Sequence, residues 1–152
     1  MFTEPLGGWR HVVARKSRKK EDFAILMREV SEKYYPDVEK IILIADNLNT
    51  HNKATFYETF PPDVAFKLAQ KFEFHYTPKH GSWLNIAESE LSSLTTQCLG
   101  NRRIGTLDEL NEELSAWESE RNSRQKGVNW QFTEEDARVN LKRLYPTPIF
   151  DK

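Results

Sequence analysis

Between Lys40 and Asp46 the chain passes through five uninterrupted apolar residues, Ile41, Ile42, Leu43, Ile44 and Ala45, and no other stretch constrains the fold as tightly. The run is too short for a core helix, and its isoleucines favour the pleated backbone, so it predicts a strand. Because polar residues do not alternate with apolar ones, the expected strand is covered on both faces, as in a sheet flanked by helices. The first polar residue after it is Asp46, so a carboxylate arrives where the strand stops and is available for chemistry.

The surrounding text supplies the partners. Met1 and Phe2 read as the end of one strand, Pro5 to Gly8 as a turn, and Trp9 to Ala14 as a second strand, which together make a hairpin. Lys20 to Tyr34 carries Phe23, Leu26, Met27 and Val30 at helical spacing and stops at Tyr35 and Pro36. After Asp46, Asn49 or Thr50 is placed to cap a helix running toward Phe60, which Pro61 and Pro62 break. Asp63 to Gln70 predicts a short helix, and Phe72 to Tyr76 a strand pairing beside Ile41 to Ala45. A loop from Thr77 to Ser82 then leads into a helix bearing Glu88 and Glu90. Thr106 with Glu109 forms a capping box, and Leu107, Leu110, Leu114 and Trp117 give that long helix one apolar face. Thr133 with Asp136 caps a last helix that ends at Tyr145 and Pro146. This order predicts an α/β domain, a mixed sheet with helices on its faces and a helical extension at the C-terminal end.

With 152 residues, a single domain accounts for the whole chain, and 38% apolar residues suffice for its core. The longest apolar run falls far short of a membrane span and the first residues lack the apolar stretch of a signal peptide, so the expected location is the cytoplasm. Cys98 is the one cysteine, which excludes an internal disulfide and a cysteine zinc site and leaves it a core filler beside Leu91 and Leu94. A net charge of −1 is not that of a uniformly basic nucleic-acid binder, yet the charges are segregated. Basic residues gather at Arg15, Lys16, Arg18, Lys19 and Lys20, at Arg102 and Arg103, and at Arg121, Arg124 and Lys126, while acids gather from Asp108 to Glu120. Such runs are solvated faces or, in the basic case, phosphate contacts. The six glycines form no phosphate-binding loop, which sets aside an unrelated phosphate-binding domain.

A strand-end acid and a helix acid are what a pair of magnesium ions requires, since magnesium takes a few oxygen ligands from different rigid elements. On the second helix, Trp83, Ala87, Leu91, Leu94 and Cys98 define an apolar face with Glu88 on one margin and Glu90 on the other, so geometry does not choose between the two acids. His51, His75 and His80 lack the short spacing and cysteine partners of a zinc site. His51, five residues after Asp46, is placed either near a bound phosphate or as a cap of its own loop, and Lys79 and His80 are candidate phosphate contacts or plain surface loop. Trp83 is expected to pack beneath the acid-bearing helix.

At DNLNTH, at YTPKHGSWLNIAESEL and at NWQFTEEDARVNLKRLYP the text resembles the DDE endonuclease domain of insertion-sequence transposases allied to the mariner group, over almost the whole chain. The resemblance implies an RNase H-like fold, DNA cleavage and joining by three metal-binding acids, and two Mg²⁺ or Mn²⁺ ions. It implies that Asp46 is the second acid and Glu88, within LNIAE, the third, so it selects Glu88 over Glu90. It implies DNA as partner, with Arg15, Lys16, Arg18, Lys19, Lys20, His51, Lys79 and His80 as candidate contacts, and a homodimer that brings two DNA ends together.

The first acid of that family lies on the first strand of the sheet, one hairpin before the text resembling FTEPLGGWRHV. Here no Asp precedes Asp22, and Glu4 sits at the turn-side end of its strand, unsuited to be that ligand. The chain therefore reads as the C-terminal part of a transposase, N-terminally truncated and inactive alone for want of one carboxylate. The competing expectation is a non-catalytic remnant that still binds DNA or a transposase partner.

Overall fold

The computed structural model describes residues 1–77, 86–129, 131, 133–140 and 142. It is a mixed α/β structure with two small sheets and, among the described residues, six α-helices. Strands β1 (Phe2–Glu4) and β2 (Trp9–His11) pair antiparallel, Thr3 opposite Arg10. The turn between them needs glycine at one place. Gly8 has φ of 71°, and a Cβ there would lie 2.5 Å from the backbone carbon of Gln125, so the turn packs directly against a later loop. The Val128 amide completes that junction by donating to the Pro5 carbonyl at 2.7 Å.

Helix α1 (Lys20–Glu29) follows and runs into a π-helical turn, Val30–Tyr34. Its carboxyl end is closed by Lys71, whose Nζ donates to the carbonyls of Ser31, Tyr35 and Pro36 at 3.1, 2.6 and 3.2 Å. Strand β3 (Ile41–Ala45), helices α2 (Ala54–Thr59) and α3 (Pro62–Lys71), and strand β4 (Phe72–Tyr76) then make a crossover unit in which β3 and β4 are parallel, Leu43 opposite Phe74. Helix α4 (Ile86–Leu94) continues as a π-helical turn, Thr95–Leu99. Helix α5 (Leu107–Ser123) begins at the Thr106–Glu109 capping box, and α6 (Glu134–Asn140) follows a box of Thr133 and Asp136.

Two cores share the work. In one, Ala24, Met27, Phe56, Ala65, Leu68 and Phe72 are buried between α1, α2, α3 and the β3–β4 pair, with Phe2, Ile41 and Leu43 packed against them. In the other, Val12, Leu94, Cys98, Leu114 and Trp117 join β2, α4 and α5, and Cys98 is the filler that its neighbours predict.

Several expectations are corrected. Strand β3 is not covered on both faces: Ile42 and Ile44 are 67% and 62% exposed, because they lie opposite Glu73 and His75 on a face over which no described element packs. An apolar run of five does not by itself distinguish one covered face from two. Strand β2 ends at His11 rather than Ala14, since the ladder with β1 ends at Phe2 opposite His11, and beyond it Val12 and Ala14 bond to side chains of α5. Neither Asn49 nor Thr50 caps α2. The Asn52 side chain accepts from the Thr55 amide at 3.3 Å, and the helix starts at Ala54. Pro62 opens α3 instead of only ending α2, its fixed φ and missing N–H suiting the first helical position. Finally, the charged face of α5 is only partly solvated. Asn111, Glu118 and Asn122 turn toward β2, where Asn111 bonds both backbone groups of Ala14 at 2.8 and 3.1 Å and Asn122 both of Arg10 at 2.8 Å. Glu118 accepts from the Val12 amide at 2.8 Å. Residues 10, 12 and 14 are thus met along one edge by side chains rather than by a strand. The expected end at Tyr145 and Pro146 and the packing of Trp83 lie outside the described residues.

Candidate active site

Asp46 occupies the position that its strand predicts, one residue past β3, where the Ala45 carbonyl still accepts from the Thr77 amide at 2.9 Å. Asn47 holds the same edge together from the other side, its amide nitrogen donating to the Thr77 carbonyl at 2.6 Å. The Asp46 side chain is 46% exposed, and one of its oxygens, Oδ1, lies 2.5 Å from His51 Nδ1 and accepts more weakly from the Leu48 amide at 3.4 Å. Oδ2 accepts no hydrogen bond among the described residues. His51 lies in the turn before α2, not in its first turn as its spacing predicts, with its ring 4.7 Å from that of Phe23 on α1. This Asp46–His51 contact is the feature that sequence reading missed. The separation of five residues was visible, but only the turn closed by the His51 amide on the Leu48 carbonyl, 2.8 Å, makes it a contact.

The two acids of α4 have opposite surroundings. Residues two positions apart on a helix differ by about 200° around its axis, so one faces inward when the other faces out. Glu90 is buried and takes four charge-assisted bonds, from Arg10 Nε and Nη2 at 2.8 and 3.0 Å and from Arg121 Nη2 at 3.2 and 3.0 Å. The Arg10 bonds, with those of Arg121, hold its carboxyl below the ordinary range despite burial. Arg10 is itself buried, and its remaining donors go to the carbonyls of Gly8 and Lys126 at 2.6 and 3.0 Å. The buried stripe of α4 and its extension therefore runs through Glu90, Leu94 and Cys98, whereas Leu91, expected on the apolar face, is 44% exposed. Glu88 is exposed, and no donor among the described residues engages it.

Of the basic candidates, Lys20 is tied to Glu58 at 2.8 Å, and the backbone amide of Lys19 donates to Asp22 at 3.0 Å. Ser17 and that amide both bond Asp22, which lowers its pKa and turns this acid back into the start of α1. Arg15, Lys16 and Arg18 are exposed, and no ion pair among the described residues engages them. The segment leads directly into α1 and hence to Phe23, which touches His51. Of the other basic residues, Arg102, Arg121 and Arg124 are spent on Glu113, Glu90 and Glu120. Lys79 and His80 lie outside the described residues.

No three His, Cys, Asp or Glu side chains among the described residues are gathered to hold a metal ion. The donor chemistry fits a hard divalent ion nonetheless, because both acids, Asp46 and Glu88, offer carboxylate oxygens that no donor among the described residues has claimed. No helix of the described residues is long and apolar enough to cross a membrane.

A family model described as DDE superfamily endonuclease matches residues 1–111, from the hairpin into α5, a span that holds both Asp46 and Glu88. No curated protein and no solved structure matches the chain.

Proposed function

The chain belongs to the DDE superfamily of endonucleases, and from that premise we propose that it is transposase catalytic machinery of RNase H-like fold, of the mariner-related insertion-sequence kind, in which Asp46 and Glu88 are two of three metal-binding carboxylates. Endonucleases of this superfamily act on DNA and use divalent metal ions. The observation that carries the assignment is the division of labour on α4: Glu90 is consumed by Arg10 and Arg121, which leaves Glu88 as the acid free to act. Bound Mg²⁺ or Mn²⁺ supplies charge stabilisation for the attacking and leaving oxygens of an in-line displacement at phosphorus. For their part, Asp46 and Glu88 would hold the ions from a strand end and a helix, and Arg15, Lys16 and Arg18 would bind phosphates of the DNA strand beside α1.

The two sheets bear on the third acid. Phe2 of β1 and Ile41 and Leu43 of β3 enter the same core, yet the two strands do not pair, and the first strand of an RNase H-like sheet belongs between them. Glu4 does not replace its acid, because the Glu4 carboxylate accepts from the Tyr35 hydroxyl at 2.8 Å beside the hairpin turn. With Asp46 and Glu88 as the two acids assigned among the described residues, the chain binds DNA without cutting it, and a transposase of this kind acts as a homodimer on paired transposon ends.

Incubation of the purified chain with labelled transposon-end duplex and manganese or magnesium tests this. The expected result is salt-dependent binding without strand cleavage, weakened when Arg15, Lys16 and Arg18 are changed together to Ala. Cleavage abolished by Asp46→Ala overturns the inactivity, and salt-independent or absent binding overturns the DNA assignment. Binding that persists when a strand carrying an Asp is supplied, with cleavage still absent, favours a non-catalytic remnant.

A further inference from the structure

Resting on that metal-dependent reading, we propose that His51 is a positioning residue for Asp46: it ties Oδ1 and leaves Oδ2 as the oxygen that meets the ion. An ionised carboxylate only accepts hydrogen bonds, so the ring nitrogen 2.5 Å from Oδ1 is the one that carries the proton, which fixes the tautomer of His51. The Leu48 amide aims at the same oxygen. Both donors that the described residues supply thus fall on one oxygen of a side chain that is 46% exposed.

The histidine is itself held from several directions. Its amide donates to the Leu48 carbonyl at 2.8 Å, and its own carbonyl accepts from the Tyr76 hydroxyl at 2.8 Å. Thr55 Oγ1 donates to the neighbouring Thr50 carbonyl at 3.0 Å. The Phe23 ring, inclined 33° to the imidazole, closes one face. Supports from α1, α2 and β4 therefore hold the ring and the backbone of a residue whose one protein contact through its ring nitrogens, among the described residues, is with Asp46. A histidine serving the DNA phosphates would not need that bond. One serving the carboxylate does, because a strand-end Asp that rotates freely presents neither oxygen reliably, and partners of this kind typically account for about 10–100-fold in metal affinity.

The test is a Mn²⁺ titration of the ¹⁵N-labelled chain, read from paramagnetic broadening of the Asp46 and Asn47 amides and, independently, from the imidazole nitrogen shifts that report the tautomer. His51→Ala is expected to raise the Mn²⁺ midpoint about 10–100-fold. His51→Asn, whose amide group supplies a donor near the place of Nδ1, stays within a few fold of the parent, while His51→Gln, whose donor reaches elsewhere, behaves like Ala. If the Ala variant loses its dispersed spectrum, the Asn and Gln pair carries the comparison. Equal midpoints for the parent and for His51→Ala, or for Asn and Gln, overturn the role of His51 alone. Broadening at Asp46 that is absent in the parent, or that is present and unchanged by Asp46→Asn, overturns the metal reading, and the role of His51 with it.

Discussion

The hairpin with α4 and α5 and the β3–β4 pair with α1 to α3 are held in contrasting ways. In the first block, polar groups are committed: Arg10, Glu90 and Arg121 form a buried ionic cluster, and Asn111, Glu118 and Asn122 bond the backbone of β2. In the second, apolar rings do the holding, Phe56, Phe72 and Phe74 lying 6.0–6.4 Å apart, while polar groups such as Asp46 stay at the rim and the outer face of β3 is bare. The contrast teaches that the acid with the strongest interactions is not the acid with the chemistry. Glu90 is fully spent on structure, whereas Glu88, which no donor among the described residues engages, is the acid proposed for the metal.

The sharpest way to break that contrast is to unbalance the cluster. Replacing Glu90 with Gln leaves two guanidinium groups facing a neutral amide in a buried site, and a cost of about 3–5 kcal/mol is expected in urea unfolding. The parent protein also has a sign to check. The carboxyl of Glu90 is lowered in the folded state, so its contribution is present above its ordinary value of 4.5 and is lost as pH falls through the lowered one. Stability of the parent should fall over that acid range and that of the Gln variant should fall less; equal slopes would show that Glu90 contributes nothing. A smaller effect is expected at Asn122→Ala, which leaves the amide and carbonyl of Arg10 without their side-chain partners and should cost about 1–3 kcal/mol by the same measurement. The smallest belongs to the other block. Ile42→Thr and Ile44→Thr replace exposed side chains by residues equally suited to a strand, so each should stay within about 0.5 kcal/mol of the parent. A loss of several times that would mean that the bare face is covered in solution.

The elements that were legible from sequence are those whose signals are local. The Thr106–Glu109 and Thr133–Asp136 boxes, the hairpin turn at Gly8 and the strand before Asp46 all rest on residues a few positions apart. The pairing of β3 with β4 followed from two strand patterns joined by helical text, and the structure adds that it is parallel. What remained hidden depends on distant partners. Nothing near Glu90 indicates that Arg10, 80 residues away, will bury it, and so the choice between Glu88 and Glu90 could not come from helix geometry. The exposure of Ile42 and Ile44 depends likewise on what packs over them rather than on their own identity. At Asp46 the position was readable and its histidine was not, because a turn had to form before a spacing of five became a bond.

The attachment of α5 to β2 has a consequence for self-association. A strand edge with free amides recruits other chains, and most proteins block it with lysine, proline or a bulge. Here a helix does so at residues 10, 12 and 14, using side chains spaced seven and four positions apart at Asn111, Glu118 and Asn122. Insertion of a single residue within that span of α5 would turn the positions beyond it by about 100°, away from the strand. The damage would then appear as aggregation through the uncovered hairpin rather than as a simple loss of helix.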